Sequence, residues 1–136
     1  MPVKARIRFD FKADAGTRKF FWQNKNIEEN AKKIRRQKIA LLRNIPFQGL
    51  NVAELNDDFE IYTLSEEDGG REVAYAPAEL LVEADTLEDL MPLTLRDEFR
   101  KIKVLEPDKL LLSNNEMEKF LFKMNNEYRH EIGDLD

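Results

Sequence analysis

The sequence contains no cysteine, and that absence removes several kinds of chemistry at once. Without thiols the chain forms no disulfide, holds no metal through thiolates and has no cysteine nucleophile. The only histidine, His130, lies in the charged segment E-Y-R-H-E, where an exposed position near a helix end is its ordinary role. A catalytic triad would have to be built around this one residue. We therefore predict no catalytic residue and no enzyme.

Long apolar runs and phosphate-binding glycine motifs are also missing. No segment approaches the roughly 18 apolar residues of a membrane span, and the start M-P-V-K-A-R lacks the apolar core of a signal peptide. We therefore expect no membrane contact and a cytoplasmic location. The five glycines form neither G-x-G-x-x-G nor a Walker motif, and the acidic clusters lack calcium-loop spacing, so we predict no cofactor and no metal site.

The length and composition predict a single folded domain over residues 1–136. Hydrophobic residues make up 42% and charged residues 36% of the chain, unlike the composition of disordered chains. The net charge of -5 conceals an uneven distribution. Residues 1–50 carry 13 Lys and Arg against 4 Asp and Glu, whereas residues 51–136 carry 9 against 23. This asymmetry indicates either a basic ligand-facing surface or two oppositely charged faces that meet.

The segment Val3–Lys12 alternates strictly between apolar and charged residues, which predicts a strand with one buried and one solvated face. A helix over Ile27–Arg43 is the expected cover for the buried face. Asn26 has the position of its N-cap residue, and Pro46 ends it.

The apolar residues of this helix predict which of its sides is buried. Ile39 falls near the polar side of the helical wheel, so we expect it to be an exposed contact. The buried stripe is predicted to comprise Ile27, Ala31, Ile34 and Leu41, completed by the aliphatic stem of Lys38.

Further strands and capped helices are predicted along the rest of the chain. In chain order they are a short strand over Lys19–Trp22, a helical turn over Val52–Asn56, two antiparallel strands within 59–82, a helix capped by Thr86, a strand over Lys101–Leu105 and a helix capped by Ser113. Pro77 lies inside the second of the antiparallel strands and predicts a bulge or an edge position there.

This order of elements predicts an α+β fold in which helices cover an antiparallel sheet. More specifically, we expect a ferredoxin-like α/β plait with an extra C-terminal helix. In that last helix one apolar stripe is expected, and Phe122 points away from it. The stripe comprises Met117, Phe120, Leu121, Met124 and Tyr128. Because this architecture hosts many unrelated functions, function has to be argued from particular residues.

Apolar residues outside the predicted core favour a non-enzymatic interaction or regulatory module, most simply a homodimer. The complementary charges of the two halves also suit surfaces that are covered by a partner. The predicted partner-binding residues are Phe21, Trp22, Ile39 and Phe122.

Binding of single-stranded nucleic acid, such as RNA, is the alternative. Cations on the open face of the first strand, beside an aromatic run, combine phosphate contacts with stacking groups. The predicted residues are Arg6, Arg8, Lys19, Lys32 and Arg36. Against this hypothesis stand a pI of about 5.1 and the lack of aromatics at the exposed positions of the first strand.

Overall fold

The computed structural model describes residues 2–14, 24–44, 47–65 and 72–133. These residues form five strands, three α-helices and one 3-10 turn. In chain order they are β1 (Val3–Asp14), α1 (Asn24–Asn44), β2 (Leu50–Asn56), β3 (Tyr62–Ser65), β4 (Glu72–Ala84), the 3-10 turn (Leu87–Leu90), α2 (Met91–Thr94), β5 (Phe99–Glu106) and α3 (Asn114–Gly133). None of the described helices has the length and apolarity to span a membrane.

The five strands form one open antiparallel sheet in the order β2-β4-β1-β5, with β3 paired to the other half of β4. The predicted α+β class, with an antiparallel sheet and helices, is confirmed. The narrower expectation of a ferredoxin-like plait stays a prediction. Between β4 and β5 the chain has the 3-10 turn and the four-residue α2, where a plait has a full-length helix.

The predicted buried face of Val3–Lys12 is confirmed, whereas on the predicted solvated face Asp10 is buried. The five apolar side chains of this segment are at most 2% exposed, and they lie opposite the apolar side chains of β4. Those five are Val3, Ala5, Ile7, Phe9 and Phe11. Helix α1 packs over this face and contributes Ile39 and Leu42 to the same core. The sheet therefore has one face under helices, while the opposite face carries the charged residues of β1.

The C-terminal half of α1 is buried on a different side from the one predicted. Ile39 is only 7% exposed and belongs to the core. Leu41, which was predicted to be buried, is 54% exposed, and Leu42 is buried in its place. The N-terminal half follows the prediction, since Ile27 and Ala31 are buried. Because sheets are twisted, the side of the helix that meets the sheet changes along the helix. The prediction placed all the buried residues at the same angle on the helical wheel as Ile27, and it is therefore wrong for the C-terminal half of α1.

Two further element predictions are corrected. The segment Val52–Asn56 is the main part of β2 and not a helical turn, because its residues pair with β4 as far as Asn56. Gly49, at φ +76°, makes the turn that leads into the strand, and a Cβ there would meet the carboxylate of Asp89. The first of the two later strands begins at Tyr62, not at residue 59. The predicted strand Lys19–Trp22 lies outside the described residues.

Pro77 lies at a gap in the ladder on one side of β4. Strand β3 pairs with β4 up to Tyr75 and β2 pairs with it from Glu79, so neither strand pairs with Pro77. Strand β4 is thus an inner strand that has a local edge at its proline, where the missing N–H costs no hydrogen bond. Arg35 of α1 fills the gap, because its Nη1 donates to the carbonyl oxygens of Phe59 (2.9 Å) and Pro77 (3.0 Å).

The predicted caps at Thr86 and Ser113 are confirmed. The backbone N–H and the hydroxyl of Thr86 both donate to Asp89, at 3.1 and 2.9 Å. At the start of α3 the backbone N–H of Ser113 donates to Glu116, whose own N–H donates to the Ser113 hydroxyl, both at 3.1 Å. These bonds lower the pKa of Glu116. The predicted strand Lys101–Leu105 is the middle of β5.

Candidate functional site

Asp10 is the most deeply buried charge on the open face of the sheet. Asp10 and Arg8 are two positions apart on β1, so their side chains are on the same face of the sheet. Only 4% of the Asp10 side chain is exposed. Arg8 Nε donates to Asp10 Oδ1 at 2.9 Å, and the hydroxyl of Tyr62 donates to Oδ2 at 2.5 Å. Arg100 Nε lies 4.0 Å from the same oxygen. Asp10 thus has cationic and neutral partners together, as a buried carboxylate requires.

The rings around Asp10 are held in fixed positions. Tyr62 stacks on Tyr75, with ring centroids 5.1 Å apart and planes inclined by 19°, and the Arg100 guanidinium lies 5.8 Å from the centre of the Tyr75 ring. Burial, followed by the hydrogen bond to Asp10, raises the pKa of Tyr62 from 10.0 to about 12. The phenol is therefore a hydrogen-bond donor and not a base, and the cluster orients side chains.

Four cations lie in two adjacent rows beside this cluster. Arg6 and Arg8 are on β1, and the strand register places them directly opposite Lys103 and Lys101 of β5. The side chains of Arg6 and Arg8 are 46% and 39% exposed. Arg6 Nε lies 3.9 Å from Glu79, a long ion pair. Within the described part of the chain, Lys101 and Lys103 have no carboxylate within ion-pair distance. We call these four residues the basic rows.

Helix α3 exposes an apolar stripe that the isolated chain leaves uncovered. The helix packs chiefly against the 3-10 turn and α2. Phe120 is on the side nearest the body and is partly covered. Four residues spaced by four, three and four positions lie about a quarter-turn away and are 40–61% exposed. They are Met117, Leu121, Met124 and Tyr128, which we call the α3 stripe.

The predicted partner-binding residues do not form one surface among the described residues. Ile39 is a core residue, so the expectation of an exposed contact there is wrong. Phe122 is 77% exposed and lies off the α3 stripe, as predicted. Phe21 and Trp22 lie outside the described residues. In the sequence the α3 stripe and Phe120 form one apolar face, because helical spacing alone does not distinguish Phe120, which is partly covered, from the four exposed residues.

The residues predicted for nucleic-acid binding lie on two sides of the sheet. Arg6 and Arg8 are on its open face, whereas Lys32 and Arg36 are exposed on α1, which covers the other face. Lys19 lies outside the described residues. Lys101 and Lys103 were missed as members of the site, although their alternation in K-I-K-V-L placed them on one face. What the sequence did not supply was the pairing of β5 with β1.

Among residues 2–14, 24–44, 47–65 and 72–133 no group of three His, Asp or Glu side chains could hold a metal ion. His130 is exposed on α3. The prediction that the chain is not an enzyme stays a prediction.

Comparison with known proteins gives no further guide to function: no protein-family model matches the chain, and no curated protein matches its sequence.

Proposed function

We propose that this chain is a non-enzymatic interaction module that forms a homodimer through α3. The observation that carries the proposal is the exposed α3 stripe. Side chains of this size expose roughly 150–200 Å² each when free, so the stripe leaves roughly 300–400 Å² of contiguous apolar surface open to water. That is the size of the largest apolar patch on a typical monomer, which is often a functional surface.

A second copy of the chain fits this surface because the stripe is symmetric about its midpoint. In an antiparallel pair of α3 helices, Leu121 packs against Met124 of the partner subunit, and Met117 packs against Tyr128 of the partner subunit. Both contacts repeat on the other side of the two-fold axis. Methionine sulfur beside an aromatic ring is a favourable contact, and methionine adapts to an imperfect fit.

The charges beside the stripe support the same arrangement. Glu118 and Arg129 lie on one flank of α3, on the side away from Phe120. Antiparallel pairing brings Glu118 near Arg129 of the partner subunit, whereas parallel pairing places each beside its own copy, so that like charges meet. The stripe supplies about half the roughly 800 Å² per partner of a standard interface, so we expect a dissociation constant of about a micromolar.

Two finer statements belong to this proposal. The module is a ferredoxin-like plait with an added C-terminal helix, which is supported by the strand order β2-β4-β1-β5 and by the antiparallel direction of every pair. The protein acts in the cytoplasm, which is supported by the absence of cysteine. Phe122 remains a proposed second contact on the opposite side of α3.

Sedimentation equilibrium over roughly 1–200 µM protein tests the homodimer. The wild type should shift from monomer to dimer in this range, and Leu121→Lys should weaken association at least tenfold because it places a charge in the apolar centre. Leu41→Lys is the matched control, since Leu41 is also a helical leucine about half exposed but lies on α1. A wild type that stays monomeric at the highest concentration contradicts the homodimer, and so does equal association of the two variants.

A further inference from the structure

The open face of the sheet has a charge arrangement that folding alone does not favour. Like charges directly opposite each other on adjacent strands destabilise a sheet, and here two such pairs are adjacent: Arg6 with Lys103, and Arg8 with Lys101. Arg8 is compensated by Asp10, and Arg6 Nε lies 3.9 Å from Glu79, but the two lysines have no acidic partner among the described residues. Positive charge is thus concentrated at this place in a chain whose net charge is -5.

The spacing of the basic rows suits a linear polyanion. Successive side chains on one face of a strand are about 6.7 Å apart, and neighbouring strands are about 4.8 Å apart. The four cations therefore form a small, regular grid. Such a grid can contact several groups of an extended phosphodiester chain at once and release its counterions.

Aromatic rings beside the grid distinguish nucleic acid from an acidic protein segment. Tyr75 lies next to Lys12 in the register of β1 and β4, and Tyr62 stacks on it, so the pair lies on the open face a few residues along from Arg8. Rings held in place next to cations offer stacking surfaces for unpaired bases. An acidic peptide has no bases and would not use these surfaces.

We propose that the open face binds single-stranded nucleic acid, with the phosphates on Arg6, Arg8, Lys101 and Lys103 and a base on the Tyr62–Tyr75 pair. Asp10 is a positioning residue here: it holds Arg8 through a bond of 2.9 Å and Tyr62 through one of 2.5 Å. This site is on a different surface from the α3 stripe, so the two proposals stand or fall separately.

Fluorescence anisotropy of a labelled oligouridylate of about 15 nucleotides, titrated with the full chain at several salt concentrations, tests the site. If all four cations contact phosphate, the slope of log K against log salt should be about -3 for a single strand. The double variant K101Q/K103Q should bind at least tenfold more weakly and reduce that slope by about 1.4. The matched control K32Q/R36Q, which removes the same charge from α1, should bind as the wild type does.

A second arm separates nucleic acid from other polyanions. Tyr75→Leu should weaken binding of the oligouridylate severalfold while leaving binding of inorganic polyphosphate unchanged, because polyphosphate has no base to stack. Circular dichroism of each variant establishes that the fold is retained. Three results would each overturn the proposal: no salt-dependent binding by the wild type, equal losses in K101Q/K103Q and K32Q/R36Q, or no effect of Tyr75→Leu on the oligouridylate.

Discussion

Replacing Arg35 with methionine removes the group that fills the gap between β3 and β2 beside Pro77 of β4. The guanidinium donates two hydrogen bonds to backbone carbonyls, at 2.9 and 3.0 Å, and Arg35 is partly buried against the sheet. Methionine keeps most of the apolar stem but leaves both carbonyls without their donor. A hydrogen bond from a charged group contributes about 1.5–3 kcal/mol, and water can reach these part-buried carbonyls in its place. We therefore expect a total loss of about 2 kcal/mol.

Urea unfolding followed by circular dichroism measures this loss. With a slope of about 2 kcal/mol per molar urea for a chain of this size, the midpoint should fall by about 1 M. Arg36→Met is the control, because Arg36 is the exposed neighbour and makes no hydrogen bond or ion pair within the described ranges. All samples are compared at one protein concentration, since dimerisation shifts the midpoint. If Arg35→Met unfolds within about 0.3 M of Arg36→Met, the bridging role of Arg35 is refuted.

Two further predictions concern the core and the tyrosine cluster. Ile39→Ala should cost about 2–4 kcal/mol, as a truncation in the core does, and Leu41→Ala less than about 0.5 kcal/mol; similar values from urea unfolding would contradict the observed burial. Because the pKa of Tyr62 rises from 10.0 to about 12 on folding, the folded chain keeps a proton that the unfolded chain loses between these values. The free energy of unfolding should then fall as pH rises from about 10 to about 12, and less steeply in Tyr62→Phe; equal slopes would refute the assignment.

The sequence was most informative where local pattern and tertiary contact agree. The alternation of Val3–Lys12 predicted β1 and its buried face correctly, because period-two spacing determines which side chains share a face. The caps at Thr86 and Ser113 were predictable for a similar reason: each depends on residues three positions apart.

Features that depend on distant parts of the chain were missed. Ile39 was predicted to lie outside the core because a helical wheel assumes one buried direction along the whole helix and does not include the twist of the sheet beneath it. Lys101 and Lys103 were predicted to lie in a strand, but only the pairing of β5 with β1 places them opposite Arg8 and Arg6. The same holds for Tyr62 and Asp10, which are 52 residues apart and meet through the pairing of β3, β4 and β1.

The central claim is that two copies of α3 pair in antiparallel orientation through the α3 stripe. Because the chain has no cysteine, single spin labels can be placed at Asn115→Cys or Asn126→Cys, both exposed and off the stripe. At 1.5 Å per residue, the two labels of an antiparallel dimer are about 22 Å apart along the helix axis at position 115 and about 10 Å apart at position 126. Pulsed electron paramagnetic resonance should therefore give the longer distance at 115. Equal distances at the two positions, or no dipolar coupling at high micromolar protein, would contradict the account.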